Sequence, residues 1–315
     1  MNSLKKGLLK VLADAFCLFV FVIPLWVYNL LDVVPLTRLG FFCNDDGIRY
    51  PYHPSSVSSA AMMVSGFVIM LMLGLFVEIF LLQRNKHLSV PTQPFHPLVV
   101  AIYRLAGYFI VGASINQFLT DVGKQAVGRP RPHFIDVCQP SVVCTDANRH
   151  VYIENYTCLR TSHPLIPAHD FTKRILDARK SFPSGHASFS LYVTVFMVIY
   201  LEFRMRSQNT RIVRHLVQAG IMAWGLWICC TRITDFKHRY SDVAAGILLG
   251  SAVASFTAYL YIRSCNSKIR KAHFIDPESN IGTCGQNGLH NPADHSTSLG
   301  NHLDTALTGL EENRE

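Results

Sequence analysis

Residues 98–134 read LVVAIYRLAGYFIVGASINQFLTDVGKQAVGRPRPHF, an apolar run that closes on Lys124, Arg129 and Arg131. A hydrocarbon core about 30 Å thick is crossed by roughly 20 mostly apolar helical residues, so the run is long enough to be a membrane span. Lys and Arg commonly flank such spans. Cations packed this closely among Gly and Pro also suit a second task, the holding of an anion.

Outward from this stretch, the same reading gives six spans: 11–31, 57–82, 98–120, 184–202, 212–231 and 242–262. The composition agrees, with 50% hydrophobic and 16% charged residues and a mean hydropathy of +0.23, too apolar for an ordinary soluble chain. The first run is too long, and too closely followed by others, for a removed signal peptide, and no small-residue cleavage site stands out. From residue 272 a tail rich in Asn, Gly, His, Ser and Asp lacks apolar periodicity and is expected to be disordered. The expected organisation is therefore all-α: a six-transmembrane helical bundle over 1–271 and a cytosolic tail over 272–315. The net charge of +8 gathers at the ends of apolar runs and forms no nucleic-acid motif, which excludes nucleic acid as a partner.

Short loops orient the bundle. Lys5, Lys6, Lys10, Arg84, Lys86, Arg204, Arg206, Arg211, Arg214, Arg263 and Lys268 fall on one side, which the positive-inside tendency makes cytosolic. The other side carries 32–56 and a long segment over 121–183, and a loop of about sixty residues is unusual unless functional or partly structured. Its sequon, Asn155-Tyr-Thr, is a glycosylation acceptor. Cys43, Cys138, Cys144 and Cys158 also lie there, an even number in an oxidising compartment, with their pairing open. Cys265 stands just inside the last span, a position that suits palmitoylation.

Three polar clusters fall on that same outer side: Lys124 and Arg131; Pro183-Ser184-Gly185-His186; and Arg232, His238 and Asp242. Each alone has a plainer reading, as an interface anchor, a helix N-cap or a solvated loop histidine. Those readings do not account for all three meeting at one face. Together they form the inventory of a phosphoryl-transfer site. Lys124, Arg131 and Arg232 would stabilise a pentavalent transition state, while Ser184 and Gly185 offer a helix N-terminus to an anion. His238 and Asp242, four apart, share a face if the last helix begins early, so that Asp242 would accept the Nδ1 proton and free Nε2 to attack phosphorus. His186 would protonate the leaving oxygen and later activate water. Two histidines and an aspartate also resemble part of a zinc site, but a dication among three cations is electrostatically poor. No cofactor is expected.

At these residues the chain resembles the integral-membrane lipid phosphate phosphatases, also called type 2 phosphatidic acid phosphatases. Their three-part signature reads here KQAVGRPRP, PSGH and TRITDFKHRYSD, and FFCNDDGIRYPY, GRPRPHFIDVC and KSFPSGHASFS look like the animal members. Thr231 replaces the usual Ser before Arg232, with the hydroxyl retained. The resemblance implies Mg²⁺-independent hydrolysis of phosphatidate, lysophosphatidate, sphingosine 1-phosphate or ceramide 1-phosphate. It also implies a site facing outward at the plasma membrane or into the lumen of internal membranes, and homo-oligomers. The alternatives are a polyprenyl-diphosphate or sugar phosphatase of the same superfamily, or a non-catalytic lipid-binding or adhesion protein.

Overall fold

The computed structural model describes residues 36–84 and 96–275, with side chains as far as 266, together with positions 9, 12–14, 16, 19 and 20. Most of the first predicted span and nearly all of the tail lie outside the described residues. Within them, five helices are long and apolar enough to cross a membrane. They are α1 (Ser59–Arg84), α2 (Pro97–Val127), α5 (Gly185–Arg204), α6 (Arg211–Thr234) and α7 (Tyr240–Ile275), while α3 (Phe134–Cys138) and α4 (Phe171–Asp177) are short and lie between α2 and α5.

Local sequence sets the ends of these helices. Pro97 opens α2 behind His96, whose side chain accepts from the Leu98 N–H, and Gly128 closes it at φ 61°. A Cβ on Gly128 would run into the Thr37 carbonyl. α2 is thus stopped just after Lys124, and the arginines that follow turn away from its axis. Ser184 caps α5 by accepting from Ala187 N–H.

α5 is the central stave. It packs against α1, α2, α6 and α7, and 72% of its apolar window is buried, against 28–39% in the other four. The outer staves turn Val64, Leu71 and Phe76 of α1, Ile212 and Leu216 of α6, and Leu248 and Phe256 of α7 outward, the inverse of a soluble pattern and suited to lipid. Small residues allow the close approach: a Cβ on Gly246 or Gly250 of α7 would meet the backbone of α5 at Ser184 or Ser188. This is the small-xxx-small device of membrane helix packing.

The intramembrane acid Glu78 of α1 is buried and receives Arg204 in a bidentate grip, with the Tyr200 hydroxyl at 2.9 Å. Arg204, read from the sequence as a loop cation, is therefore a buried helix-to-helix tie. Cys265 is also buried and receives Arg104 from α2 at 3.6 Å, so its thiol is not presented to an acyl donor.

The long outer segment is structured. Residues 36–56 and 128–183 build a cap with its own core of Phe41, Ile48, Tyr52, Phe134, Val137 and Phe171. A short antiparallel ribbon pairs β1 (Phe41–Phe42) with β2 (Tyr152–Ile153). The four cysteines join as Cys43–Cys144 and Cys138–Cys158, the first closing a loop of 101 residues.

Candidate active site

The C-termini of α2 and α6 and the N-termini of α5 and α7 lie at the same end of the bundle, beneath the cap. That arrangement follows from the antiparallel order of the spans and brings all three polar clusters together.

Lys124, in the last turn of α2, pairs with Asp121 at 3.1 Å. It reaches the start of α5, since a Cβ built on Gly185 would lie 3.2 Å from its ammonium. A side chain here would press on that ammonium, and glycine leaves it close to the helix N-terminus, where free N–H groups and the dipole favour an anion. Arg131 is held from behind by Asp177 of α4 at 2.8 Å and by the Lys180 carbonyl at 3.3 Å. Its buried Nε has no hydrogen-bond partner in the protein. Arg232 is 1% exposed; the Thr231 hydroxyl and Asp235, both near 3.0 Å, fix its guanidinium. The hydroxyl of Thr231, where the resembled family has a serine, is thus the group that Arg232 meets.

His238 differs from the sequence expectation. Its Nδ1 donates to the Ser181 carbonyl at 2.7 Å and not to Asp242, because α7 begins at Tyr240. His238 precedes the helix, so the helical spacing of the pair never applies. Asp242 is fully buried, accepting the Ser181 hydroxyl at 2.6 Å, Arg129 at 2.7 Å and the Arg239 N–H at 3.0 Å. Ser181 stands between the two, its carbonyl on the histidine and its hydroxyl on the carboxylate. A carbonyl can only accept, so Nδ1 keeps its hydrogen and the lone pair of His238 is on Nε2. His186, on the first turn of α5, has Nε2 3.1 Å from the Val57 carbonyl; by the same logic the lone pair of its neutral ring is on Nδ1.

The electrostatics tie the clusters together. Burial first, then Arg131, with Lys124 and His186 adding, holds His238 well below its ordinary value against the opposing Ser181 bond. His238 is therefore neutral at pH 7, the form in which Nε2 carries a lone pair. Behind it, Lys237 lies 3.8 Å over the Tyr52 ring, its ammonium lowered to about 7 by burial and then Arg131. His133, buried against Tyr52, is lowered to about 3 by burial, Arg131 and Lys237, with its bond to the Phe236 carbonyl opposing.

All the residues singled out from sequence in the three clusters are brought together, while Asn155 lies apart, exposed on the cap just after β2. Arg129 is a structural contact to Asp242. The sequence reading missed Ser181, Asp177, Asp235 and Lys237. Asp235 sits three residues after Arg232, a helical spacing that would have found it; Asp177 comes from a separate cap helix and has no such signal. Among the described residues no group of three or more His, Cys, Asp or Glu side chains is placed to share a metal ion.

Comparison with known proteins gives the same outline. The profile of the PAP2 superfamily matches residues 101–264, which contain all three clusters. Phospholipid phosphatase 2 of Homo sapiens is 36% identical over 250 residues, covering 78% of this chain and 81% of the relative. Phospholipid phosphatase 1 of Mus musculus is 32% identical over 231 residues, covering 71% and 74%, and phospholipid phosphatase 2 of Bos taurus is 34% identical over 250 residues, covering 78% and 80%.

Proposed function

The chain belongs to the PAP2 superfamily and, within it, to the animal lipid phosphate phosphatases, and from that premise we propose that this phosphatase hydrolyses the phosphate monoester of membrane lipids without a metal. The substrates are phosphatidate, lysophosphatidate, sphingosine 1-phosphate or ceramide 1-phosphate. The bilayer holds their acyl chains, so the protein need only seat the headgroup at the end of the bundle.

The observation that carries the mechanism is the pair of bonds made by Ser181. With Nδ1 committed to its carbonyl, the Nε2 lone pair of His238 forms a bond to phosphorus as the phosphorus–alcohol oxygen bond breaks. With Nε2–H held by the Val57 carbonyl, His186 enters this step as the imidazolium, a form that the bound phosphate dianion favours, and gives its Nδ1 proton to the departing oxygen. Lys124, Arg131 with its unpaired Nε, Arg232 and the N–H groups at Ser184 and Gly185 take up charge on the equatorial oxygens. His186 then removes a proton from water, whose oxygen attacks the phosphohistidine; the nitrogen–phosphorus bond breaks and inorganic phosphate leaves. Asp242 acts through Ser181 as a positioning residue.

The catalytic face is extracytoplasmic, at the plasma membrane. The short-loop cations, the disulfide-bonded cap and the exposed sequon at Asn155 support that side, and the resemblance adds homo-oligomerisation. The test is phosphate release from lysophosphatidate in EDTA by wild type beside His238→Ala. Activity in the wild type and loss in a folded variant is the expected result; abolition by EDTA would overturn the metal-free reading, and undiminished turnover by the variant would overturn the assignment of His238.

A further inference from the structure

The opposite end of the bundle carries a polar feature that this chemistry does not use. α6 packs along α5 but barely touches α7, and in the gap lies a cavity of about 880 Å³. It is separated from the candidate active site by the 20 residues of α5, roughly 30 Å of helix. Its lining is apolar on one side and polar on the other, where Ser207, Gln208, His215 and Gln218 accompany the charged residues. Ile199 and Phe203 of α5 and Ile262 of α7 are apolar, whereas Arg206 comes from the connection after α5, and Arg211 and Arg214 from the first turn of α6.

Charge in the lining is unbalanced. Its one carboxylate, Glu202, is already taken by Arg214 at 3.1 Å, and Arg214 is further fixed by the Met205 carbonyl at 2.7 Å. Among the described residues neither Arg206 nor Arg211 has a carboxylate partner; Arg206 lies over the Phe203 ring at 5.5 Å. Both arginines are exposed. A free anion would need only these guanidinium groups, whereas the cavity places an apolar wall beside them. Next to them on α6, Ile212 and Leu216 face outward, so the cavity adjoins the surface that meets lipid.

We propose that this cavity binds a membrane phospholipid with an anionic headgroup, drawn from the leaflet opposite the catalytic face. Its phosphate sits on Arg206 and Arg211, whose planar forks match phosphate oxygens, and an acyl chain lies along Ile199 and Ile262. Basic cavities between membrane helices recognise headgroups in this way. The inference needs only the membrane-spanning placement of the helices and stands apart from the catalytic reading.

Phosphatidylinositol is a suitable probe, because its phosphodiester is not a substrate for a monoesterase. The full chain, released from nanodiscs of equal phosphatidylcholine and phosphatidylinositol, is examined by native mass spectrometry for retained lipid, beside Arg206→Gln/Arg211→Gln and Arg206→Lys/Arg211→Lys. The wild type is expected to retain phosphatidylinositol over phosphatidylcholine, and the Gln pair to lose that preference by about tenfold. Phosphate release by the Gln pair stays unchanged, which reports its fold; the Lys pair keeps most of the preference, and soluble inositol 1-phosphate does not compete. Equal retention by wild type and the Gln pair, competition by inositol 1-phosphate at the lipid's own concentration, or loss of retention in His238→Ala instead would each overturn the proposal.

Discussion

Ser181 makes the difference between a histidine that happens to be near a carboxylate and one whose tautomer is set. Its carbonyl fixes Nδ1 of His238 while its hydroxyl is anchored by Asp242. Ser181→Ala removes the anchor and keeps the carbonyl, so kcat is expected to fall about tenfold with KM little changed, read from initial rates on lysophosphatidate. Arg131→Lys keeps a charge but loses the fork and the grip of Asp177, and kcat/KM is expected to fall on the order of 100-fold. The pH dependence follows from burial: His238 is held below its ordinary value, so the acid limb of kcat/KM is expected well below pH 6.5. Stability has its own sign. Folded His133 takes a proton only near pH 3, whereas the unfolded chain does so near 6.5. The unfolded state therefore binds more protons between these values, and stability is lost as pH falls from 6.5 towards 3, which thermal melts across that window would show. The cations and both histidines were legible as residue types in three motifs. The direct Asp242–His238 bond was misread because the start of α7 depends on how the backbone turns at Phe236, which has a positive φ, and no periodicity reports that turn.

Among the elements, α5 and α7 show how the site is held rigid. Gly246 and Gly250 let the two helices touch backbone to backbone beside Ser184 and Ser188, and the Ser184 N–H donates to the Asp242 carbonyl at 3.0 Å. The N-termini of both helices are thereby locked in register. Gly250→Val would drive the helices apart, and its expected signature is a large drop in thermal stability with little active protein recovered; full activity in that variant would contradict the packing. The five described spans stood out in the sequence because hydropathy alone marks a helix that must satisfy its own backbone in lipid. The cap was not legible as a fold. Its core draws on residues from Phe41 to Ala178, and disulfide pairing among four cysteines allows three patterns that spacing does not separate.

For the whole molecule, an amphiphile is met at the end of a bundle whose outward faces are apolar, beneath a cap whose core and disulfides lie outside the spans. If the cap is extracytoplasmic, Asn155 is expected to carry a glycan. A mobility shift on glycosidase treatment, absent in Asn155→Gln, is the expected readout, and an unmodified Asn155 in a secretory-pathway host would contradict the sidedness. The central claim is that segments from four helices and the cap converge on one histidine nucleophile. It is tested most directly by trapping the intermediate. His186→Ala, given an aryl phosphate whose leaving group needs no proton, should form the phosphohistidine and hydrolyse it slowly. The account predicts, after rapid quenching at neutral pH, a phosphoryl adduct that maps by mass spectrometry to His238; an adduct on another residue, or burst-free turnover with no adduct at all, would contradict it.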